Sequence, residues 1–367
     1  MLKIIWNKKN VEKKYGKRRA KRIKEALGKI KEAEEIDITP VDLPEIVRNS
    51  RKGDSFIIIG GHTLFPFCEV NNPTRDGDRI VWTDNFYGST NDDPLLPERA
   101  VGRLPDGKDI NFLLQQIENV GKTQNKSAFK GNTFGLGSAV WEDASRNIYK
   151  IISNKELLLS PPETTDTIKI EKNTEILYFN LHGSDRTNKW YGQGDGRYPV
   201  ALSLDNIPGL KNSIIFTEAC YGAYIIDKEL SESLALTFLK EGCRCFVGST
   251  TIAYGPLTPP PTEADLMASL FFQEVLKGEK FGIALLNAKH DFFKIMIDRQ
   301  GFLDGDDKKT LLQFVLYGNP EESLQYNNHK DTKITELTLR FQGFKFYPVP
   351  HDSIKSLNYI FLLFFLL

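Results

Sequence analysis

The sequence contains a thiol and an imidazole that each follow a short apolar segment. Cys220 lies in segment 213–223, which reads Ser-Ile-Ile-Phe-Thr-Glu-Ala-Cys-Tyr-Gly-Ala. His182 lies in segment 175–183, which reads Glu-Ile-Leu-Tyr-Phe-Asn-Leu-His-Gly. A thiolate can attack a carbonyl carbon, and a nearby imidazole can take or share its proton. The pair therefore indicates nucleophilic catalysis by cysteine, and a packed core cysteine is the alternative.

Both apolar segments are typical of buried strands in a parallel sheet, because they are rich in β-branched and aromatic residues. The interval of 220 − 182 = 38 residues is enough for a crossover between neighbouring parallel strands. Since open α/β sheets bind ligands at the carboxyl ends of their strands, we expect His182 and Cys220 to emerge side by side. Gly183 would let a substrate approach the backbone, and the N–H groups of Gly183 and Cys220 are candidate oxyanion donors.

The two motifs resemble the catalytic signature of the caspase-like cysteine peptidases, and they are closest to that of the gingipain family. The caspase form is Gln-Ala-Cys-x-Gly with a histidine about 50 residues upstream, whereas this chain has Glu-Ala-Cys-Tyr-Gly and a shorter interval. The similarity extends in the same order over residues 1–320, through residues 84–88, 96–105, 248–250 with Tyr254, and 313–320. It implies an α/β fold, a caspase-like αβα sandwich with a mostly parallel sheet, and a cysteine endopeptidase.

The resemblance also implies roles for two residues outside the motifs. In gingipains an acidic residue near the catalytic histidine follows an earlier strand, and Glu142 is the nearest match, so we expect it to orient His182. A helix-start carboxylate that interacts with the helix dipole is the alternative interpretation. Tyr254 is similar in position to an aromatic residue that covers the S1 pocket of gingipains, and an ordinary loop tyrosine is the alternative.

The P1 residue, which precedes the cleaved bond, is predicted to be basic. Members of this clan favour Arg, Lys, Asp or Asn at P1, and an acidic pocket residue would pair with a basic side chain. Asp143 and Asp195 are the candidate pocket residues. Acyl transfer by a thiol and an imidazole requires no cofactor, and we predict no metal.

The predicted elements divide the chain into three parts. Residues 1–160 begin with a strand, a helix over residues 11–35 and a second strand, and we expect them to form a smaller Rossmann-like α/β subdomain. Residues 165–325 are expected to form the caspase-like catalytic subdomain. Residues 326–367 are a C-terminal extension of uncertain structure, and its nine terminal apolar residues are too few to span a bilayer.

Composition argues against several other classes of function. The 367 residues include 48 Lys+Arg and 48 Asp+Glu, so a zero formal net charge favours neither nucleic acid nor an anionic membrane as a partner. The thirteen Lys/Arg among residues 1–31 are interpreted as a solvated helix face. The four cysteines have no Cys-x-x-Cys spacing, so neither a zinc site nor a disulfide scaffold is predicted. The absence of a signal-peptide pattern predicts a cytoplasmic location, or a secreted one if the amino terminus is trimmed.

Two other functions are compatible with the same motifs. A catalytically inactive binding module could keep the fold, although the intact His-Gly and Ala-Cys-x-Gly motifs favour an enzyme. A thiol acyltransferase would use the same nucleophile. The prediction is a peptidase that acts on protein or peptide substrates, with no expectation about its oligomeric state.

Overall fold

The computed structural model of the protein describes residues 1–121, 128–210 and 212–325. Its helices are α1 (Lys8–Tyr15), α2 (Lys17–Leu27), α3 (Leu43–Arg48), α4 (Ile110–Gly121), α5 (Glu142–Ile152), α6 (Leu234–Lys240), α7 (Glu263–Leu276), α8 (Phe281–Gln300) and α9 (Gly305–Gln313). Its strands are β1 (Leu2–Trp6), β2 (Ala33–Asp37), β3 (Ser55–Ile59), β4 (Cys68–Asn71), β5 (Ile80–Thr83), β6 (Ala100–Leu104), β7 (Thr133–Ser138), β8 (Leu158–Ser160), β9 (Ile176–Asn180), β10 (Trp190–Tyr191), β11 (Val200–Leu202), β12 (Ser213–Thr217), β13 (Cys243–Ser249) and β14 (Phe314–Gly318). None of these helices is long and apolar enough to cross a bilayer.

Ten of the strands form one continuous sheet in the order β2-β1-β3-β6-β14-β13-β12-β9-β7-β8. Every neighbouring pair is parallel except β13 and β14, which are antiparallel. The sheet therefore consists of two five-stranded parallel blocks that run in opposite directions and meet at β13 and β14. The predicted α/β class with a mostly parallel sheet is confirmed.

The block that contains β9 and β12 takes strands from both sides of residue 160. Strands β7 and β8 extend it beyond β9, with Leu136 opposite both Phe179 and Leu158. The Rossmann-like subdomain over residues 1–160 and the catalytic subdomain over 165–325 stay predictions. The predicted C-terminal extension, 326–367, lies outside the described residues.

Helices cover both faces of the sheet because both faces of its strands are apolar. Successive residues of a strand point to opposite faces. Ile214 and Phe216 pack in a cluster with Phe271 of α7, whereas Ile215, between them, packs in a second cluster with Phe238 of α6. A sheet buried on both sides is the middle layer of an αβα sandwich.

The amino-terminal helical segment differs from the prediction of one helix over residues 11–35. It consists of two helices, α1 and α2, separated by Gly16 at φ 86°. Glycine reaches this positive-φ region without a steric penalty, so the chain can turn there. Strand β2 then begins at Ala33, inside the range predicted as helix.

Candidate active site

The two apolar segments of the motifs form neighbouring parallel strands. Strand β9 pairs with β12 so that Ile176 lies opposite Ile214 and Phe179 lies opposite Thr217. Because both strands run in the same direction, the residues that follow them leave the sheet at one edge. The structure thus brings the backbones that carry His182 and Cys220 to the same edge.

The backbone of Gly183 lies directly against that of Cys220. A Cβ atom at Gly183 would overlap with the Cys220 carbonyl oxygen and would lie 3.3 Å from the Ala219 Cβ. Any other residue at position 183 would therefore push these two backbones apart. The N–H groups of Gly183 and Cys220 donate no hydrogen bond to another of the described residues. They are available as donors to a substrate oxygen.

Hydrogen bonds hold the turn that presents Cys220. The Ala219 N–H donates to Thr217 Oγ1 at 3.2 Å, and the Tyr221 N–H donates to the Thr251 carbonyl at 2.8 Å. Tyr221 adopts φ 56°, a conformation that a bulky side chain rarely takes. Such backbone strain persists only where the surrounding contacts enforce it, as these hydrogen bonds do.

The sulfur of Cys220 lies between the two polar backbone groups of Ala253. The Ala253 N–H donates to Sγ at 3.4 Å, and the Sγ–H donates to the Ala253 carbonyl at 3.5 Å. Burial raises the pKa of the Cys220 thiol. The neutral thiol is therefore the favoured form at neutral pH.

The imidazole of His182 is packed between aromatic rings and bonded to an amide. The ring centroids of Trp141 and Tyr198 lie 4.4 Å and 5.6 Å from that of His182. His182 Nε2 lies 2.7 Å from Gln193 Oε1. A carbonyl oxygen only accepts, so with the amide oriented in this way Nε2 carries the proton and the neutral ring keeps its lone pair on Nδ1. Burial lowers the pKa of His182 more than the hydrogen bond with Gln193 raises it.

Gln193 is a site residue that sequence reasoning missed. Its N–H donates to the Ser160 carbonyl at 3.0 Å, and its carbonyl accepts from the Val140 N–H at 2.9 Å and from Ser138 Oγ at 3.2 Å. The ends of β7 and β8 thus position its side chain against His182. In the sequence, its neighbours Gly192 and Gly194 indicate only a loop. A glutamine between two glycines belongs to none of the catalytic motifs, so its role could not be recognised from the sequence.

Glu142 begins helix α5, and its carboxylate accepts a hydrogen bond from Arg146 Nε at 2.8 Å. The preceding residue, Trp141, supplies the ring that contacts His182. A carboxylate in the first turn also interacts favourably with the helix dipole. The orienting role of Glu142 stays a prediction.

The two predicted pocket carboxylates lie on the surface. Asp143 is exposed in the first turn of α5. Asp195 is 89% exposed in its side chain and lies 3.6 Å from the Arg197 guanidinium. Their roles in P1 recognition stay predictions, and water would screen the charge of both.

Tyr254 directly follows the residue that contacts the Cys220 sulfur. Its hydroxyl donates a hydrogen bond to Asp76, and Lys309 Nζ lies 5.5 Å from its ring centroid. These contacts hold the ring beside the site, as a pocket cover would require. The predicted role as a cover of the S1 pocket is not decided by them and stays a prediction.

A buried ion-pair cluster supports the segments on both sides of Cys220. Lys309 Nζ lies 2.6 Å from Asp78 Oδ2 and also pairs with Asp76. Asp78 accepts from the Tyr221 hydroxyl at 2.7 Å and from the Ile252 N–H at 2.9 Å. Within the described ranges, no group of three or more His, Cys, Asp or Glu side chains could hold a metal.

Comparisons with known structures show the fold. The crystal structure of the Arg specific cysteine proteinase gingipain R (RGPB) is 14% identical, with a TM-score of 0.60, over 88% of this chain and 78% of that one. The complex of Porphyromonas gingivalis RgpB pro- and mature domains is 13% identical, with a TM-score of 0.59, over 88% and 79% of the two chains. None of the curated protein sequences compared with this chain matches it significantly.

A comparison with protein families shows the class of enzyme. The family model described as peptidase family C25 matches residues 45–325, which is well over half of the chain. That range contains both motifs and confirms the resemblance to gingipains. The chain belongs to peptidase family C25 and is a cysteine-type peptidase.

Proposed function

We propose that Cys220 and His182 form the catalytic dyad of a cysteine endopeptidase that acts on protein or peptide substrates. The observation that carries the proposal is the delivery of both residues to one sheet edge by β9 and β12, with Gly183 packed on the Cys220 backbone. Tyr191 supports the histidine by pairing with it in both directions, N–H to carbonyl, at 2.8 and 2.9 Å.

In the proposed reaction, the sulfur of Cys220 attacks the scissile carbonyl carbon while its proton passes to Nδ1 of His182. The carbonyl oxygen becomes an oxyanion and accepts hydrogen bonds from the N–H groups of Gly183 and Cys220. The imidazolium then donates its proton to the leaving amine, and the C–N bond breaks. Water, deprotonated by the same imidazole, hydrolyses the thioester and regenerates the thiol.

The dyad is proposed to be neutral before substrate binds. Burial raises the pKa of the Cys220 thiol and lowers the pKa of the His182 imidazole, and both shifts favour the uncharged forms. Proton transfer therefore accompanies the attack on the substrate. His182 is able to act as a base at pH values above its lowered pKa.

We also propose that the P1 residue is arginine or lysine. Gingipain R, whose fold this chain shares, is described as Arg specific. Two buried acidic side chains support this proposal within the chain. They are Glu218, two residues before Cys220, and Asp265, which is hydrogen-bonded to Glu218.

The dyad is tested by hydrolysis of fluorogenic peptides with Arg or Lys at P1. Cys220→Ala and His182→Ala are each expected to lower kcat at least about 1,000-fold, because removal of one member of a nucleophile–base pair removes most of its effect. Cys68→Ala, a change at another free and half-buried cysteine, is the matched control. A Cys220→Ala protein with full activity would show the dyad to be wrong. Products analysed with and without an added amine separate hydrolysis from acyl transfer.

A further inference from the structure

An aromatic ring at the surface borders the imidazole of His182. Tyr198 is 43% exposed and is one of five large hydrophobic side chains that are exposed in the described part of the chain. Its ring centroid lies 5.6 Å from that of His182. The ring belongs to none of the four buried clusters of the core, and its hydroxyl group forms no hydrogen bond with another of the described residues. Tyrosines placed in this way are enriched where proteins bind partners.

A cavity begins next to this ring. Its volume is about 520 Å³, within the range of about 300 to 1,000 Å³ that is usual for ligand sites. Its lining comprises Ala139, Val140, Pro161, Pro162 and residues 193–197. The last range begins with the glutamine that contacts His182 and ends at the residue before Tyr198. The cavity and the tyrosine ring therefore border the imidazole together.

The cavity has packed walls and a rim of opposite charges. A Cβ atom at Gly194 would lie 3.0 Å from Pro161 Cδ and 3.2 Å from Ala139 Cβ, so this loop packs closely on the residues that follow β7 and β8. Asp195 and Arg197 lie 3.6 Å apart at the rim, and their side chains are 89% and 70% exposed. Water screens both charges, and they offset each other. The cavity therefore favours neither an anion nor a cation.

The proposed reaction determines which part of a substrate meets this surface. The imidazolium of His182 gives its proton to the leaving amine, which is the backbone nitrogen of P1′, the residue after the cleaved bond. That nitrogen must lie within hydrogen-bond distance of the ring. The P1′ side chain branches from the next backbone atom, so it lies against the surroundings of His182. The P1 residue, in contrast, stays attached to the sulfur of Cys220.

We propose that Tyr198 and the adjoining cavity bind the leaving part of the substrate, and that the enzyme prefers a large apolar side chain at P1′. This inference rests on the proposed function. The P1′ side chain packs on the exposed ring of Tyr198, and the cavity receives the residues that follow. Both surfaces lose contact with water on binding, which stabilises the complex.

The first test compares two P1′ residues in the same enzyme. Quenched fluorescent peptides with Arg at P1 carry either leucine or asparagine at P1′, because these side chains have similar shapes and only leucine is apolar. The ratio of the two kcat/KM values is independent of the fraction of folded enzyme. It also cancels any general effect of a substitution on His182. The native enzyme should prefer leucine, and Tyr198→Ala should lower the ratio about tenfold, the effect of losing most of one apolar contact.

Two control variants define what the ratio reports. Tyr198→Phe keeps the ring and should leave the ratio within about twofold, since the hydroxyl group has no role in the proposed contact. Val41→Ala removes an 86% exposed apolar side chain between β2 and α3 and should not change the ratio. If Tyr198→Ala lowers both kcat/KM values equally, Tyr198 only packs on His182 and the inference is wrong, whereas the proposed function stands. A native preference for asparagine also overturns the inference.

A second test does not depend on hydrolysis. Binding of the same two peptides, labelled at one end, to the Cys220→Ala protein is measured by fluorescence anisotropy. The leucine peptide should bind about tenfold more tightly, and the double variant Cys220→Ala, Tyr198→Ala should lose this preference. If the native chain hydrolyses no peptide but this pattern holds, the proposed function fails and the surface is still a site for an apolar side chain. Equal binding of the two peptides, or an unchanged preference in the double variant, overturns the inference.

Discussion

Gln193 controls which nitrogen of His182 carries the proton, through the 2.7 Å contact between Oε1 and Nε2. Gln193→Glu would place a carboxylate at this position, and a nearby negative charge stabilises the imidazolium and raises its pKa. Because His182 must be neutral to accept the thiol proton, the acidic limb of the pH profile of kcat/KM should move to higher pH. Initial rates measured across the pH range check this result.

Gln193→Leu provides the comparison, because it removes the acceptor without adding charge. It should lower kcat about tenfold by releasing the ring, as loss of one orienting hydrogen bond does, without moving the limb upward. If Gln193→Glu and Gln193→Leu have the same pH profile, Gln193 does not act on the protonation of His182.

Gly183 is expected to tolerate no side chain. In Gly183→Ala the new methyl group would overlap with the Cys220 carbonyl oxygen, so the two backbones must separate and the oxyanion donors lose their alignment. We expect kcat to fall at least about 100-fold, the effect of losing one such donor. Gly53→Ala is the control, because a Cβ atom there meets no other atom within 4 Å. Equal activity of the two variants would contradict the role of Gly183.

The motif residues could be identified from the sequence, but their partners could not. Cys220 and His182 follow apolar strand segments, and that local pattern can be recognised in the sequence alone. Glu218 belongs to the same motif, yet Asp265, whose carboxyl group is hydrogen-bonded to that of Glu218, lies 265 − 218 = 47 residues further on. Gln193 carries no charge and lies among glycines. Such contacts depend on how distant segments meet, which no local pattern contains.

Among the elements, strand positions were easier to predict than strand order. The predicted strand over residues 176–180 agrees with β9, because a short apolar run between polar residues has few other conformations. The insertion of β14 between β6 and β13 depends on long-range pairs such as Tyr317 with Arg103. The prediction of one helix over residues 11–35 was wrong at Gly16. The helical spacing of apolar residues continues across this glycine, although the first helix ends before it and the second begins after it.

The loop between β4 and β5 is joined to helix α9 by Lys309. Burial alone would raise the pKa of Asp76, but hydrogen bonds from Lys309 and Tyr254 lower it overall. Lys309→Met would leave the carboxylates of Asp76 and Asp78 buried without a cation. We expect the free energy of unfolding at neutral pH to fall by about 3 to 5 kcal/mol, as in other broken buried ion pairs. Urea denaturation measures this change.

Lys308→Met is the control for this prediction, because Lys308 is the exposed neighbour on the same helix. It should change the stability by less than about 0.5 kcal/mol. Since the pKa of Asp76 is lowered in the folded state, its stabilising contribution is present above its usual pKa and is lost as the pH falls through the lowered value. The stability difference between Lys309→Met and the native chain should therefore shrink in acid, and a constant difference would contradict this.

For the whole molecule, the buried pair of carboxyl groups formed by Glu218 and Asp265 predicts a loss of stability in alkali. The pKa of Glu218 is raised by burial from its usual 4.5 to about 8. The folded protein therefore keeps a proton that the unfolded chain releases, so this contribution is complete below about pH 4.5 and is lost as the pH rises to about 8. The slope should be about 1.4 kcal/mol per pH unit at most for the one proton on Glu218.

Glu263, whose pKa burial also raises to about 8, has an effect of the same sign. The comparison of Glu218→Gln with the native chain isolates the pair, because glutamine does not titrate. The variant should be the more stable protein at the alkaline end of the range, as measured by urea denaturation at several pH values. Parallel stability curves for the two proteins would show that Glu218 does not hold the proton.

The placement of Ala253 around the Cys220 sulfur has a consequence for damage by peroxide. Sγ lies 3.4 Å from the Ala253 nitrogen and 3.5 Å from its oxygen, and the thiol is favoured over the more easily oxidised thiolate. The idle enzyme should therefore resist conversion to the sulfenic acid, whereas a turning-over enzyme, in which the thiol proton passes to His182 at each attack, should lose activity faster. Rates of inactivation by hydrogen peroxide, measured with and without substrate, test this expectation. The enzyme should be inactivated faster when substrate is present.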